Sequence, residues 1–146
     1  MQNIKRCAWV DMKNPLYIQY HDEEWGRPLH DERRLFEMLI LEGAQAGLSC
    51  ITILKKREAY GEAFDHFDPE KVFTYGEEKI ASLLANPGIV RNRLKIRGAV
   101  KNAGVFLSIQ KECGSFDRYI WNFVNHRPIQ NAWAGVKELP AKTSLS

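Results

Sequence analysis

Four large aromatic side chains lie close together in the segment from Cys7 to Gly26, and a carboxylate follows them in an apolar run. The rings are Trp9, Tyr17, Tyr20 and Trp25, and the acid is Glu42. Aromatic faces with one acid nearby can bind a flat, polar or cationic ring through stacking, cation–π attraction and hydrogen bonds. The four rings share no single helical or strand period, so a core beneath a long N-terminal loop is the alternative interpretation.

The carboxylate of Glu42 is predicted to sit at least partly out of water. Its helical face is otherwise apolar, because Leu35, Met38 and Leu39 precede it at helical spacing. An acid in that position can accept hydrogen bonds from the N–H groups of a ligand, or stabilise positive charge in a cleft. The alternative is a partly exposed acid at the end of the helix, since Gly43 loosens the last turn.

Cys7 and His21 are predicted to form half of a metal site. A thiolate and an imidazole are both zinc ligands, but a structural zinc site needs four. The other candidates form no compact second pair; they are Cys50, Cys113, His30, His66 and His126. We therefore expect the chain to supply about half of the ligands, and the alternative for Cys7 is a small buried hydrophobe.

A basic segment follows the turn at Pro87-Gly88. Its cations are Arg91, Arg93, Lys95 and Arg97, with Lys101 beyond them. Such a run could contact phosphates near the start of a helix. The alternative is a solvated face of an amphipathic helix.

Helical periodicity and capping residues predict an all-α chain, with no alternating strand pattern. The expected helices cover Glu32 to Glu42, Ser49 to about Tyr60, a short stretch from Pro69, Glu77 to Leu84, about Arg91 to Gly114, and Ser115 to Val124. No helix is predicted before Gly26.

The 146 residues, of which 45% are hydrophobic, suffice for one domain spanning 1–146 with its own core. No apolar run is long enough to span a membrane, and the N-terminus lacks a secretory signal, so the expected compartment is cytoplasmic. Three cysteines argue against a disulfide framework. A net charge of +3 permits nucleic-acid binding without requiring it.

The motifs resemble those of one family in order and spacing. They read CAWV, NPLYIQYHDEEWGRP, LFEMLILEGAQAGLS, ITILKKREAY, GIVRNRLKI and WNFVNH, and the resemblance runs from Cys7 to about Ser146. The chain is thereby similar to DNA-3-methyladenine glycosylase I of the bacterial constitutive type. The resemblance implies an all-α fold of the helix-hairpin-helix glycosylase superfamily. It also implies excision of 3-methyladenine from alkylated double-stranded DNA, by hydrolysis of the N-glycosidic bond after base flipping.

The resemblance also implies roles for individual residues. Glu42 and Tyr20 would hydrogen-bond the lesion base, and Trp9 and Trp25, with Tyr17 beside them, would wall its pocket. Cys7 and His21 would be the N-terminal zinc ligands. Glu42 is the candidate catalytic residue, and whether it activates water or only reads the base is left open.

Two departures from the family pattern affect these expectations. Cys50 stands where the family usually has a tryptophan that stacks on the lesion. The hairpin and the final histidine and cysteine ligands of the family have no counterpart before Ser146. We therefore expect a C-terminally shortened form, with zinc absent or incompletely coordinated. The alternative is a non-catalytic relic or base-binding module with little affinity for DNA. No membrane and no obligate protein partner are expected.

Overall fold

The computed structural model describes residues 4–146, and within this range the secondary structure is helical, without strands. The α-helices are α1 (Pro15–Glu23), α2 (Glu32–Gln45), α3 (Cys50–Ala63), α4 (Pro69–Phe73), α5 (Glu77–Leu84), α6 (Arg93–Cys113) and α7 (Phe116–Asn122). Short 3-10 turns cover Asp65–Phe67 and Val136–Glu138. The predicted all-α class is confirmed.

Polar side chains at the helix starts explain why the elements begin where they do. Each accepts a hydrogen bond from a backbone N–H of the first turn, which otherwise has no partner in the helix. These caps are Asn14, Asp31, Ser49, Asp68 and Asn92. At the other end of α6, Gly114 has a φ of 86°, a conformation that glycine adopts without strain.

Helix α1 corrects the expectation that no helix precedes Gly26. Its signals are local: Asn14 caps it, and Pro15 occupies a first-turn position where its fixed φ suits a helix. None of its residues is fully buried, so it has no continuous apolar stripe of the kind that reveals an amphipathic helix. Sequence periodicity therefore missed it.

The described residues form two compact units. The first contains the chain up to Pro28 together with Ile120–Ser146, and the second is Leu29–Tyr119. The principal apolar core belongs to the second unit, where α6 packs against α2, α4 and α5. Within residues 4–146, no helix has the length and apolar character that crossing a bilayer requires.

Three phenylalanine rings anchor the core of the second unit. The ring centroids of Phe36 and Phe106 are 5.1 Å apart, and those of Phe106 and Phe116 are 4.5 Å apart in a stacked arrangement. Phe36 and Phe106 are almost completely buried. The rings thus join α2, α6 and the start of α7.

One carboxylate connects the same three helices by hydrogen bonds. Glu32, in the first turn of α2, accepts from Gln110 Nε2 at 2.7 Å, from Phe116 N at 2.9 Å and from Asp117 N at 2.7 Å. The last two donors are backbone groups at the start of α7, which have no partner within that helix. Glu32 therefore caps α7 from a different helix.

A left-handed turn joins α3 to α4. Asp65, His66 and Phe67 have φ values of 49°, 52° and 58°, which are unfavourable for residues that carry a Cβ atom. Burial of Phe67 and a 2.5 Å hydrogen bond from the Tyr75 hydroxyl to Asp65 Oδ2 hold this turn in place. Burial, followed by the bond to Asp65, raises the pKa of Tyr75.

Candidate functional site

Trp9 lies at the centre of an aromatic cluster in the first unit. Its ring centroid is 5.2 Å from that of Tyr17, 6.5 Å from Tyr20, 5.3 Å from His21 and 5.4 Å from Trp25. The rings of His21 and Trp25 are also stacked, with 13° between their planes. The structure therefore brings together the four aromatic residues that the sequence singled out, and adds an imidazole to them.

Helix α1 explains this arrangement. Tyr17, Tyr20 and His21 stand at positions i, i+3 and i+4, so they share one face of the helix. Trp9 and Trp25 come from the segments that flank α1 and complete the cluster from either side. The four rings therefore share no single period, as expected, but two of them, Tyr17 and Tyr20, lie on one face of α1.

The cluster is only partly withdrawn from water. Trp25 is 49% exposed, and Trp9, Tyr17 and Tyr20 are half-buried. Rings that support one another and keep exposed surface can stack on a flat ligand, with cation–π attraction if that ligand is positively charged.

A chain of hydrogen bonds ties the N-terminal segment to α1. Asp22 accepts from Arg6 Nη2 at 2.6 Å, and its other oxygen lies 2.9 Å from His21 Nδ1. The second ring nitrogen of His21, Nε2, accepts from the backbone N–H of Cys7 at 3.3 Å. The bonds from Arg6 and then His21 lower the pKa of Asp22 to about 2. Sequence reasoning missed Arg6 and Asp22, although each directly adjoins a predicted metal ligand.

The two predicted metal ligands are brought together, but they do not make a complete site. A tetrahedral zinc ion needs four ligands. Among the described residues, no group of three or more histidine, cysteine, aspartate or glutamate side chains is arranged to hold a metal ion. In addition, His21 Nε2 accepts a hydrogen bond from the Cys7 backbone N–H at 3.3 Å. The described residues alone therefore do not fit a structural zinc ion.

Glu42 lies in the last part of α2, in the second unit, and the structure corrects the expectation for its burial. The residue is exposed, whereas the fully buried positions of this helix are Phe36, Ile40, Leu41 and Ala44. The apolar residues on which the prediction rested, Leu35, Met38 and Leu39, are only partly buried. A residue that follows them at helical spacing consequently reaches solvent, so the carboxylate can meet a ligand without first being desolvated by the fold.

The cations of the predicted basic segment have different partners. Arg93 and Arg97 both approach Glu77, with the shorter contact 2.7 Å from Arg97 Nη2. Lys95 Nζ donates to the carbonyl oxygens of Ala44 and Ala46, at 2.9 and 2.6 Å, and so caps the end of α2. Only part of the basic segment is therefore available for a phosphate.

Comparison with known proteins relates these residues to a family. A family model described as methyladenine glycosylase matches residues 9–146. The DNA-3-methyladenine glycosylase of Haemophilus influenzae is 48% identical over 142 residues, which cover 97% of this chain and 76% of that protein.

The chain belongs to the methyladenine glycosylase family.

Solved structures of methyladenine glycosylases agree with this assignment. A crystal structure of 3-methyladenine DNA glycosylase I matches with a TM-score of 0.93 at 45% identity, covering 97% of this chain and 77% of that one. A tyrosine-to-phenylalanine variant of 3-methyladenine DNA glycosylase I, solved in complex with 3-methyladenine, matches with a TM-score of 0.92 at 39% identity. That alignment covers 97% of this chain and 76% of the variant. The predicted glycosylase fold is thus confirmed, and the chain spans about three quarters of the length of these proteins.

In this methyladenine glycosylase chain, Cys50 is the first residue of α3 and is partly buried. Ser49 precedes it and caps the helix by accepting from Thr52 N at 3.3 Å. The side chain that replaces the expected tryptophan is therefore fixed at a regular helix start. A thiol has no aromatic face, so it cannot stack on a base as an indole does.

Proposed function

We propose that this chain is a DNA glycosylase that releases 3-methyladenine from alkylated DNA by hydrolysing the N-glycosidic bond. The observation that carries the proposal is its 48% identity, over nearly the whole chain, to a protein named DNA-3-methyladenine glycosylase. A related structure solved in complex with 3-methyladenine supports the same substrate.

The chemistry of the substrate agrees with the aromatic cluster. Methylation at N3 gives adenine a positive charge, which weakens the glycosidic bond, so the leaving base needs no strong general acid. We propose that the extruded base is recognised by four residues of the first unit: Trp9, Tyr17, Tyr20 and Trp25. Stacking and cation–π attraction would favour the cationic base over neutral adenine, and a phenolic hydroxyl would add a hydrogen bond.

We further propose that Glu42 supplies the carboxylate of the reaction. An ionised acid accepts hydrogen bonds from the base and stabilises the positive charge that passes from the base to the sugar as the glycosidic bond breaks. A hydrogen bond to a charged group contributes about 1.5–3 kcal/mol. Loss of the charge should therefore slow base release by roughly 10- to 100-fold.

Zinc is proposed to be incompletely coordinated by this chain. Cys7 and His21 would contribute two ligands, and the described residues offer no third. We expect substoichiometric metal in the purified protein, measured by elemental analysis. Tight binding of one zinc ion per chain would contradict this proposal.

We propose that the activity is cytoplasmic. A DNA substrate supports this compartment, because bacterial chromosomal DNA lies in the cytoplasm and the relative from Haemophilus influenzae is bacterial.

The decisive experiment measures release of 3-methyladenine from methylated duplex DNA. Glu42→Gln and Tyr20→Phe are the test variants, and Glu62→Gln, an exposed acid on α3, is the matched control. We expect release by the wild type and by the control, and a loss of roughly tenfold or more in Glu42→Gln. Absence of release by the folded wild type would overturn the proposed activity, and equal rates in Glu42→Gln and Glu62→Gln would overturn the role of Glu42.

A further inference from the structure

A shallow groove with a volume of about 580 Å³ lies within the second unit. The first half of α3 and Leu48, two residues before it, form one wall, and the end of α5 with the segment that joins it to α6 forms the other. Apolar side chains such as Leu48, Pro87 and Val90 line the groove together with two cations, Lys56 and Arg91. None of the described residues that line it is acidic.

The second wall is held against α3 by specific contacts. The backbone N–H of Val90 donates to the Tyr60 hydroxyl at 3.1 Å, and Lys56 Nζ donates to the Pro87 carbonyl at 3.2 Å. A Cβ atom at Gly88 would lie only 2.9 Å from the Cβ atom of Ala59, so glycine permits this close approach. The groove is therefore formed before any ligand arrives, which reduces the conformational entropy that binding must overcome.

The charges of the groove remain available to a ligand. Arg91 is exposed and has no ion pair in the described part of the chain, unlike Arg93 and Arg97, which approach Glu77. Lys56 donates one hydrogen bond to Pro87, and an ammonium group can donate three. A guanidinium and an ammonium group beside apolar side chains suit a polymer in which anionic groups alternate with less polar groups.

We propose that this groove binds a stretch of the DNA backbone, with Arg91 and Lys56 on phosphate oxygens and the apolar side chains against the sugars. This inference rests on the proposed function, because it assigns the surface that holds the substrate strand. The phosphodiester chain supplies both features that the groove can match, a repeated negative charge and a less polar sugar between charges.

The test is the salt dependence of duplex DNA binding, followed by fluorescence anisotropy in about 50–200 mM salt. Arg91→Gln is the principal variant, because this exposed side chain has no partner in the described residues and its loss should leave the fold intact. Lys56→Gln is the second variant, and circular dichroism checks that both are folded. Lys101→Gln is the matched control, since it removes an exposed cation from α6 that does not line the groove.

We expect Arg91→Gln and Lys56→Gln each to reduce the slope of log K against log salt by about 0.9, the value for one phosphate contact, and to weaken binding. The control should keep the wild-type slope. Equal slopes in Arg91→Gln and Lys101→Gln would overturn the assignment of the groove. Equally tight, Arg91-dependent binding of a polyglutamate peptide would also overturn it, since the groove would then be selecting an acidic polypeptide.

The same proteins are assayed for release of 3-methyladenine from methylated DNA, which separates this inference from the proposed function. Base release by the wild type, with no effect of Arg91→Gln on the salt slope, refutes the groove alone. A slope that depends on Arg91, in a wild type that releases no base, refutes the glycosylase activity and supports the groove.

Discussion

Replacing Glu32 by alanine is expected to destabilise the second unit substantially, because one carboxylate caps α7 and also connects α2 to α6. The substitution removes the bonds from Gln110 Nε2, Phe116 N and Asp117 N, all of which are 2.7–2.9 Å long. Two of these donors are backbone groups of a helix start, and they would have to find water in a partly buried position.

The magnitude follows from these contacts. A hydrogen bond to a charged group contributes about 1.5–3 kcal/mol, and loss of a helix cap costs about 1 kcal/mol. The three bonds share one carboxylate that water partly reaches, so their contributions do not simply add. We expect Glu32→Ala to lower the free energy of unfolding by about 2–4 kcal/mol, which corresponds to roughly 5–15 °C in Tm for a chain of this length.

Urea unfolding followed by circular dichroism at 222 nm measures this loss. Glu62→Ala is the matched control, because Glu62 is exposed on α3 and has no interaction partner among the described residues. Glu32→Gln keeps the shape of the side chain but turns one acceptor into a donor that faces other donors. Its free energy of unfolding should therefore lie between those of Glu32→Ala and the wild type. A free energy of unfolding for Glu32→Ala within about 0.5 kcal/mol of that of Glu62→Ala would refute the reasoning.

Three further predictions test other parts of the structure. Burial and the bond to Asp65 raise the pKa of Tyr75, so its contribution to stability is complete below the ordinary tyrosine pKa of about 10 and is lost as the pH rises above it. The free energy of unfolding of Tyr75→Phe, measured by circular dichroism, should therefore fall less steeply with pH in this alkaline range. Gly88→Ala should force the segment before α6 away from Ala59. It should lower the affinity for DNA more than it lowers the rate of base release at saturating DNA, and an unchanged DNA affinity would contradict this. Phe106→Ala should lower the free energy of unfolding by about 3–5 kcal/mol because it leaves a cavity in the core, and a denaturation midpoint close to that of the wild type would be inconsistent with this packing.

The helix starts illustrate what local sequence can determine. Helices α2 and α4 begin at Glu32 and Pro69, as the sequence predicted, because the caps Asp31 and Asp68 bond to backbone groups only two or three positions away. Helix α5 was predicted with its observed bounds, Glu77–Leu84. Helix α1 escaped prediction because its cap is clear but it buries no residue fully, so periodicity had nothing to detect.

The candidate site was also predicted only in part. The residue types of the first unit predicted an aromatic cluster, and the structure confirms that Trp9 contacts the rings of Tyr17, Tyr20 and Trp25. The prediction for Glu42 was wrong in its burial, because the direction of a helix face depends on which neighbours the helix packs against. Its role in base recognition stays a prediction.

Motifs and local patterns were enough to assign the family, the all-α class and the residue types that could recognise a cationic base. These depend on motif order and on interactions between residues close in the chain. The contacts between residues far apart in the chain became visible only in the folded molecule: the Glu32 cap on α7, the hydrogen bonds from Lys95 to the end of α2, and the groove beside Arg91, which has no ion pair within residues 4–146. Such contacts depend on how whole helices pack, because the position of each side chain then follows from the burial of many others rather than from its neighbours in sequence.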